Sequence, residues 1–217
     1  MNKRFTSHIF WGSHSVFSSL IGLAIVVMAS GRMANAIIAS GAIIWVFSLN
    51  ALIYSGAQKI MPVQGKKIIL LFLSSFLCGL YFLLIGLLNP LIIYGLAFII
   101  VLIPPYCLGN GFYENLSFYE SSSSIPVKEV FLRALLEALV LSGVIIGLAL
   151  IREPLGMGTL SFPGGIYGIR EIGSEGENLV PFRLFSISAG GILLMGYGIA
   201  LFRFIKSKKN MTTEEDL

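Results

Sequence analysis

The sequence predicts an all-α integral membrane protein with six transmembrane helices in two inverted three-helix repeats, the first and fourth helices broken. Three observations lead there. Hydrophobic residues make up 56% of the chain and charged residues only 12%, against about 25% charged in a soluble domain, and the mean hydropathy is +0.87. The charges avoid long stretches of chain and crowd into the segments between them, as a bilayer requires. Two of the apolar stretches, at corresponding places in the two halves, are interrupted by Gly, Ser or Pro. The 217 residues are read as one transmembrane domain, 1–217, with repeat one over about 9–88 and repeat two over about 91–205. No stretch is long or polar enough for a separate catalytic domain.

The first span runs from about Ile9 to Ala29. Lys3 and Arg4 precede the apolar run Val16–Met28, and Ala29-Ser30-Gly31 has the small residues of a cleavage site. The stretch Phe5–Ser15 separates those charges from the apolar run, so a first membrane segment is read rather than a leader. It is interrupted by Gly12-Ser13-His14-Ser15 and by Gly22. The second span, Ala34–Tyr54, and the third, Ile68–Leu88, reach the roughly 20 apolar residues needed to cross the hydrocarbon core. The fourth, from Leu91 to about Cys107, is cut at Pro104-Pro105 and continues into Leu108-Gly109-Asn110-Gly111. Proline removes a backbone donor and glycine supports a helix poorly, so a break is expected there. The fifth, Val130–Ile151, and the sixth, Leu184–Ile205, are again uninterrupted. Paired broken spans point to a site near the midplane of an inverted-repeat fold; two kinked helices without a site are the plain alternative.

Between the spans, Ser121–Ser124 before Pro126 reads as a flexible linker, and Gly-rich 154–183 as holding a turn or hairpin around Pro163-Gly164-Gly165. The tail from Met211, with Glu214, Glu215 and Asp216, reads as a solvated end. Eleven Lys and Arg residues, among them Lys3, Arg4, Lys66, Lys67, Arg203 and Lys206, fall on one side of the six spans. Only Arg32, Arg152, Arg170 and Arg183 fall on the other. This asymmetry predicts both termini in the cytoplasm. It also accounts for the net charge of +4 as a topology signal, so no nucleic-acid partner is expected and the lipid bilayer is.

Sequence motifs for soluble chemistry are absent: there is no phosphate-binding loop, dinucleotide fingerprint, His-Glu zinc helix or nucleophile elbow. His8 and His14 read as interfacial or packed residues. Arg133 and Glu137 share a helix face at i,i+4, as a structural pair or as part of an ion path. Asn50 is suited to an interhelical hydrogen bond. The two cysteines, Cys78 and Cys107, exclude a disulfide framework. Cys107 is the candidate metal and cofactor ligand, because a thiolate after the double proline would stand beside backbone amides freed from helical pairing. A packed apolar thiol is the other reading. One cysteine cannot hold an iron–sulfur cluster, which takes four ligands, so the remainder would come from elsewhere in the chain or from a partner.

The stretch Arg152-Glu153-Pro154-Leu155-Gly156-Met157-Gly158-Thr159-Leu160, closing the fifth span, is similar to the Arg-Glu-x-x-Gly-x-Gly-x-Leu signature of the Rnf/Nqr membrane-subunit family, on its RnfE/NqrD branch. Pro163-Gly164-Gly165 is weakly similar to that family's Pro-Gly-Ala, and Cys107, Gly111 and Glu114 stand at the spacing of its fourth-helix cysteine motif. The resemblance covers nearly the whole chain. It implies six spans with inverted repeats in the cytoplasmic membrane and a homologous RnfA/NqrE-like partner of opposite orientation. It also implies a 2Fe-2S cluster held by four cysteines shared between the two. The implied function is electron transfer linked to ferredoxin or NADH and coupled to Na⁺ or H⁺ movement, with flavin and nucleotide sites on other subunits. Two positions depart from the pattern. The family's Gly-Leu-Cys of the first helix is Gly22-Leu23-Ala24 here, and Ala24 has no donor atom; Tyr106 stands before Cys107 in place of Asn. A substitute ligand such as His14, Cys78 or a partner's group, an altered or absent cluster, and a divergent role as a small secondary transporter or scaffold subunit all remain open from these residues.

Reporter fusions at Met1 and Leu217 are expected to give cytoplasmic signals at both ends; a signal from opposite sides would require an odd number of spans.

Overall fold

A computed structural model describes residues 20–57, 65–109, 127–165, 168–173 and 182–215. His8, His14, the Gly12–Ser15 interruption, Gly111, Glu114 and the Ser121–Ser124 linker lie outside the described residues. The described chain is helical apart from one small hairpin. Helix α1 spans Leu20–Ala29, α2 Met33–Ala57, α3 Lys66–Leu88, α4 Pro90–Gly109, α5 Val127–Met157 and α6 Ser188–Glu215. Between α5 and α6 lie strands β1 (Thr159–Pro163) and β2 (Ile169–Gly173) and a 3-10 turn at Arg183–Phe185.

Among the described residues four helical stretches are long and apolar enough to cross a bilayer: Met33–Gly56, Ile68–Leu88, Pro90–Leu108 and Val130–Met157. A shorter apolar stretch, Ser188–Leu201, opens α6. The chain is therefore a helical, multi-pass membrane protein, and its exposed residues agree: Phe72, Leu87, Leu91, Tyr94, Val101 and Leu201 stand outward on their helices, where a soluble protein would place charge.

Proline punctuates the bundle in two different ways. Asn89, between α3 and α4, leaves helical geometry at φ −142°, ψ 75°, because the following Pro90 crowds a helical residue in front of it. Pro90 itself opens α4, where its missing N–H is no loss. Pro104 and Pro105, by contrast, lie inside α4. The break expected at the double proline is not formed: the helix runs through it to Gly109. The prolines withdraw only the bonds to the Ile100 and Val101 carbonyls, near the end of the helix. Ile103, Tyr106 and Cys107 around them are at most 1% exposed, so burial holds the backbone where propensity alone would end it. Gly22 likewise sits inside α1 without interrupting it.

Helix α2 is the centre of the bundle. It packs along α5 and touches α3 and α4 as well. The Tyr81 hydroxyl of α3 donates to the Ile38 carbonyl of α2 at 2.8 Å, and the Ser142 hydroxyl of α5 donates to the Ser40 carbonyl at 3.4 Å. The rings of Phe47 on α2 and Tyr106 on α4 lie 6.2 Å apart. The levels of these pairs make α3 and α5 antiparallel to α2, and α4 parallel to it. The α1–α2 elbow, the α3–α4 turn, the end of α5, the hairpin and the start of α6 consequently gather at one end of the bundle, called the hairpin end below.

The hairpin expected around Pro163-Gly164-Gly165 is present. Its strands pair antiparallel from Thr159 with Gly173 to Pro163 with Ile169.

Tyr81→Phe removes the α3–α2 hydrogen bond and keeps the ring; it is expected to destabilise the protein by about 1 kcal/mol, read as a lower unfolding midpoint in detergent, whereas Tyr81→Ala costs several-fold more through lost packing.

Candidate functional site

The most concentrated set of buried polar contacts in the structure is built on the Arg-Glu pair near the end of α5. Arg152 is 2% exposed and Glu153 1%, in a helix whose other residues at this level are apolar. A charge in such a place must be given partners. The guanidinium of Arg152 donates through Nη1 to the Val27 carbonyl at 2.6 Å and to Ser30 Oγ at 3.2 Å. Through Nε it donates to the Phe185 carbonyl at 2.7 Å, and through Nη2 to the Ser186 carbonyl at 3.2 Å. Ser30 Oγ in turn donates to Val27 O at 3.2 Å. One side chain thus holds the end of α1 and the turn that leads into α6.

Glu153 serves the other half of the elbow. Its Oε2 accepts from the Met33 amide at 2.6 Å, and Ser161 Oγ of β1 accepts from the Ala34 amide at 3.2 Å. Helix α2 has no acidic residue in its own first turn. Its opening amides, which have no partner within the helix, are met by side chains 120 and 127 residues away. The signs suit the helix dipoles, with a cation on the carbonyl end of α1 and a carboxylate on the amide end of α2. A looser pair, Arg32 Nη1 to Glu171 Oε1 at 3.6 Å, ties the same elbow to β2 at the surface.

The two glycines after the Arg-Glu pair have separate causes. A β-carbon at Gly156 would stand 2.7 Å from the Ser186 amide nitrogen and 3.2 Å from the Phe185 carbonyl carbon, so its absence lets α5 meet the turn whose carbonyls Arg152 binds. Gly158 has φ +72°, a left-handed conformation that costs a side chain, and its amide closes α5 on the Pro154 carbonyl at 3.0 Å. The stretch 152–158 is therefore a latch: cation, carboxylate, close approach and turn.

Cys107 lies elsewhere. It is 1% exposed, in the last turn of α4, about 25 Å along the helix from Pro90 at 1.5 Å per residue. It is held in a helix, not beside the freed amides expected of an unwound segment, and toward the end of the span remote from the hairpin. Arg133 and Glu137 are within electrostatic range of one another, as their i,i+4 spacing predicts. Asn50 is buried on α2. Cys78 borders a lateral cavity of about 340 Å³ between α3 and α4, with Ser75, Gly79, Ala97, Ile100 and Pro104. Ala24 is half-buried on α1, and α1 packs on α4.

Among the described residues no group of three or more His, Cys, Asp or Glu side chains converges to hold a metal ion. The described residues do not by themselves fit a four-ligand iron–sulfur cluster: Cys107 is one buried thiol, and Ala24 has no donor atom.

The architecture places the chain among helical multi-pass membrane proteins. Comparison with protein-family models and with curated proteins gives no match.

The latch was visible in the sequence as two adjacent charges at the end of a long apolar run, yet nothing local names its partners. Arg152→Ala leaves the ends of α1 and the α6 turn without their donor and is expected to cost roughly 3–5 kcal/mol, measured as the thermal midpoint of the purified protein. Arg152→Lys restores only part of this, since one ammonium cannot span the four acceptors, and Glu153→Gln, which keeps an acceptor for Met33, is expected to be milder than Glu153→Ala.

Proposed function

We propose that this chain is an RnfE/NqrD-like membrane subunit of an ion-translocating electron-transport complex, working beside a homologous RnfA/NqrE-like subunit. The observation that carries this reading is the latch. The stretch 152–158, on which the resemblance rests, is not a loose string of matched letters: Arg152, Glu153, Gly156 and Gly158 each have a distinct structural task in joining the two halves of the chain.

The helix packing supports the two-repeat part of the reading. Exchanging α1 with α4, α2 with α5 and α3 with α6 carries the α2–α5 and α1–α4 pairs onto themselves. It turns α3–α4, α2–α3 and α2–α4 into α1–α6, α5–α6 and α1–α5, all of which pack. Helices exchanged in this way run in opposite directions, as in an inverted repeat. A six-span subunit with both termini in the cytoplasm would follow.

In this reading Cys107 is the chain's contribution to a 2Fe-2S cluster shared across the subunit interface, the other ligands lying outside the described residues or on the partner. Such a cluster would supply one-electron transfer within the membrane. The chain's own part is to hold the Cys107 thiol buried in the last turn of α4, with the ring of the adjoining Tyr106 tilted against Phe47 of α2. The loss of a donor at Ala24 favours a second reading, a small secondary transporter or scaffold subunit without redox chemistry.

Purification of the tagged chain from its own membrane, followed by iron analysis and EPR of the reduced sample, separates the two. Co-purifying six-span and flavin-bearing subunits with a cluster signal that Cys107→Ala abolishes are expected. A signal unchanged by Cys107→Ala would remove the ligand role. A chain that emerges alone and iron-free, and that supports substrate flux in liposomes, would replace the redox reading with the transporter one.

A further inference from the structure

The β1–β2 hairpin exposes large apolar side chains where a loop in water would carry polar ones. Residues paired across the strands share a face, so Ser161 and Glu171 lie on one side and Leu160, Phe162, Arg170 and Ile172 on the other. The Ser161 side is the one turned to the protein: Ser161 is fully buried against the Ala34 amide and Ile169 packs on the core, while Glu171 meets Arg32 at the surface. On the other side Leu160 is half-buried against the core, and beyond it the exposed residues are apolar apart from Arg170, with Phe162 38% and Ile172 59% exposed. An antiparallel ribbon with its outer face in water carries polar residues at these outward positions. The segment after the hairpin repeats the theme, for Phe182, Leu184 and Ile187 are each more than half exposed.

The spans set the level at which this surface lies. Ile68–Leu88 has 21 residues and Pro90–Leu108 has 19, about 31 and 28 Å at 1.5 Å per residue, against a hydrocarbon core of about 30 Å. Neither has length to spare, so the α3–α4 turn stands at the edge of the hydrocarbon. The hairpin tip rests there: a β-carbon at Gly168 would come within 3.1 Å of Leu91 Cδ1, one residue into α4. The Phe182 amide is bound to the Leu155 carbonyl of α5 at 3.0 Å. Leu91 and Leu155 are themselves outward residues of spanning helices, 69% and 43% exposed. The apolar face of the hairpin thus continues the lipid-facing surface of the bundle and is level with its rim.

From this we infer that the outward face of the hairpin, with Phe182, Leu184 and Ile187, is an interfacial anchor seated in the lipid headgroup layer at this end of the protein. Open strand edges exclude it from the hydrocarbon itself. Apolar side chains with one Arg opposite Phe162 suit the boundary, where the rings enter the acyl region and the guanidinium reaches phosphate. The anchor steadies the latch beneath it, because the same strand that presents Phe162 to lipid presents Ser161 to α2.

Strand alternation supplies the test. A nitroxide is attached at Ile172→Cys and, separately, at Glu171→Cys, with the full chain in vesicles of phosphatidylcholine and phosphatidylglycerol, and its collisions with oxygen and with a water-soluble nickel chelate are measured. The unsubstituted chain, whose Cys78 and Cys107 are both buried, gives the background. The oxygen-to-nickel collision ratio is expected to be several-fold higher at Ile172 than at its neighbour Glu171. Equal ratios would place the face in water and overturn the inference. Protection of Ile172 from both reagents would overturn it as well, since a protein rather than lipid would then cover the face. Phe162→Cys reports on the same face from the other strand, and decides the matter where the Ile172 variant does not fold.

Discussion

The end of a helix in a membrane is harder to satisfy than its middle. At the elbow between α1 and α2 the last carbonyls of one helix and the first amides of the next come together where the Arg152 and Glu153 side chains that meet them are almost wholly buried, and an unsatisfied backbone group in such surroundings costs several kcal/mol. Capping by a neighbouring Ser or Asp is the usual remedy, and Ser30 is present, but its hydroxyl is engaged with Val27 and Arg152. The elbow instead draws on two adjacent residues of α5. Arg152 takes the carbonyl end and Glu153 the amide end, and each charge is offset by the dipole it faces.

Much of the remaining architecture follows from that contact. Because Arg152 and Glu153 are neighbours in sequence, α1 and α2 must approach the same turn of α5, which sets the level of α2 against α5 and so of the Ser40–Ser142 contact below. Because Arg152 also binds the Phe185 and Ser186 carbonyls, the start of α6 is held to the same point, and Gly156 is the residue that lets it come close enough. Elements from both ends of the chain are joined by one guanidinium. Cys107 is remote from this junction along α4, but it is placed by the same helix, α2, on whose Phe47 the adjoining Tyr106 rests.

The two cysteines show how differently one residue type can be used. Cys78 lines a cavity open toward the side of the bundle, and Cys107 is sealed between helices. Sequence position made Cys107 the candidate ligand through its neighbouring prolines. The structure retains its distinction for another reason, its near-complete burial in the last turn of α4. The prolines matter less than expected because they fall near the end of a helix whose flanking residues are buried; two missing backbone bonds cannot outweigh that packing.

Composition and the spacing of charges determined, by themselves, that the chain spans a membrane, where the second, third, fourth and fifth spans lie, and that a hairpin turns at Pro163-Gly164-Gly165. These are local properties: the hydropathy of some twenty consecutive residues, or the backbone freedom of a glycine, depends little on the rest of the chain. Only the tertiary structure decided that α4 passes through Pro104 and Pro105, that Arg152 and Glu153 cap an elbow more than a hundred residues away, and that the hairpin turns Ser161 to α2 while leaving Phe162 and Ile172 outward. Each of these depends on which groups are left without partners once the helices have packed, and that is known only when the whole bundle is assembled.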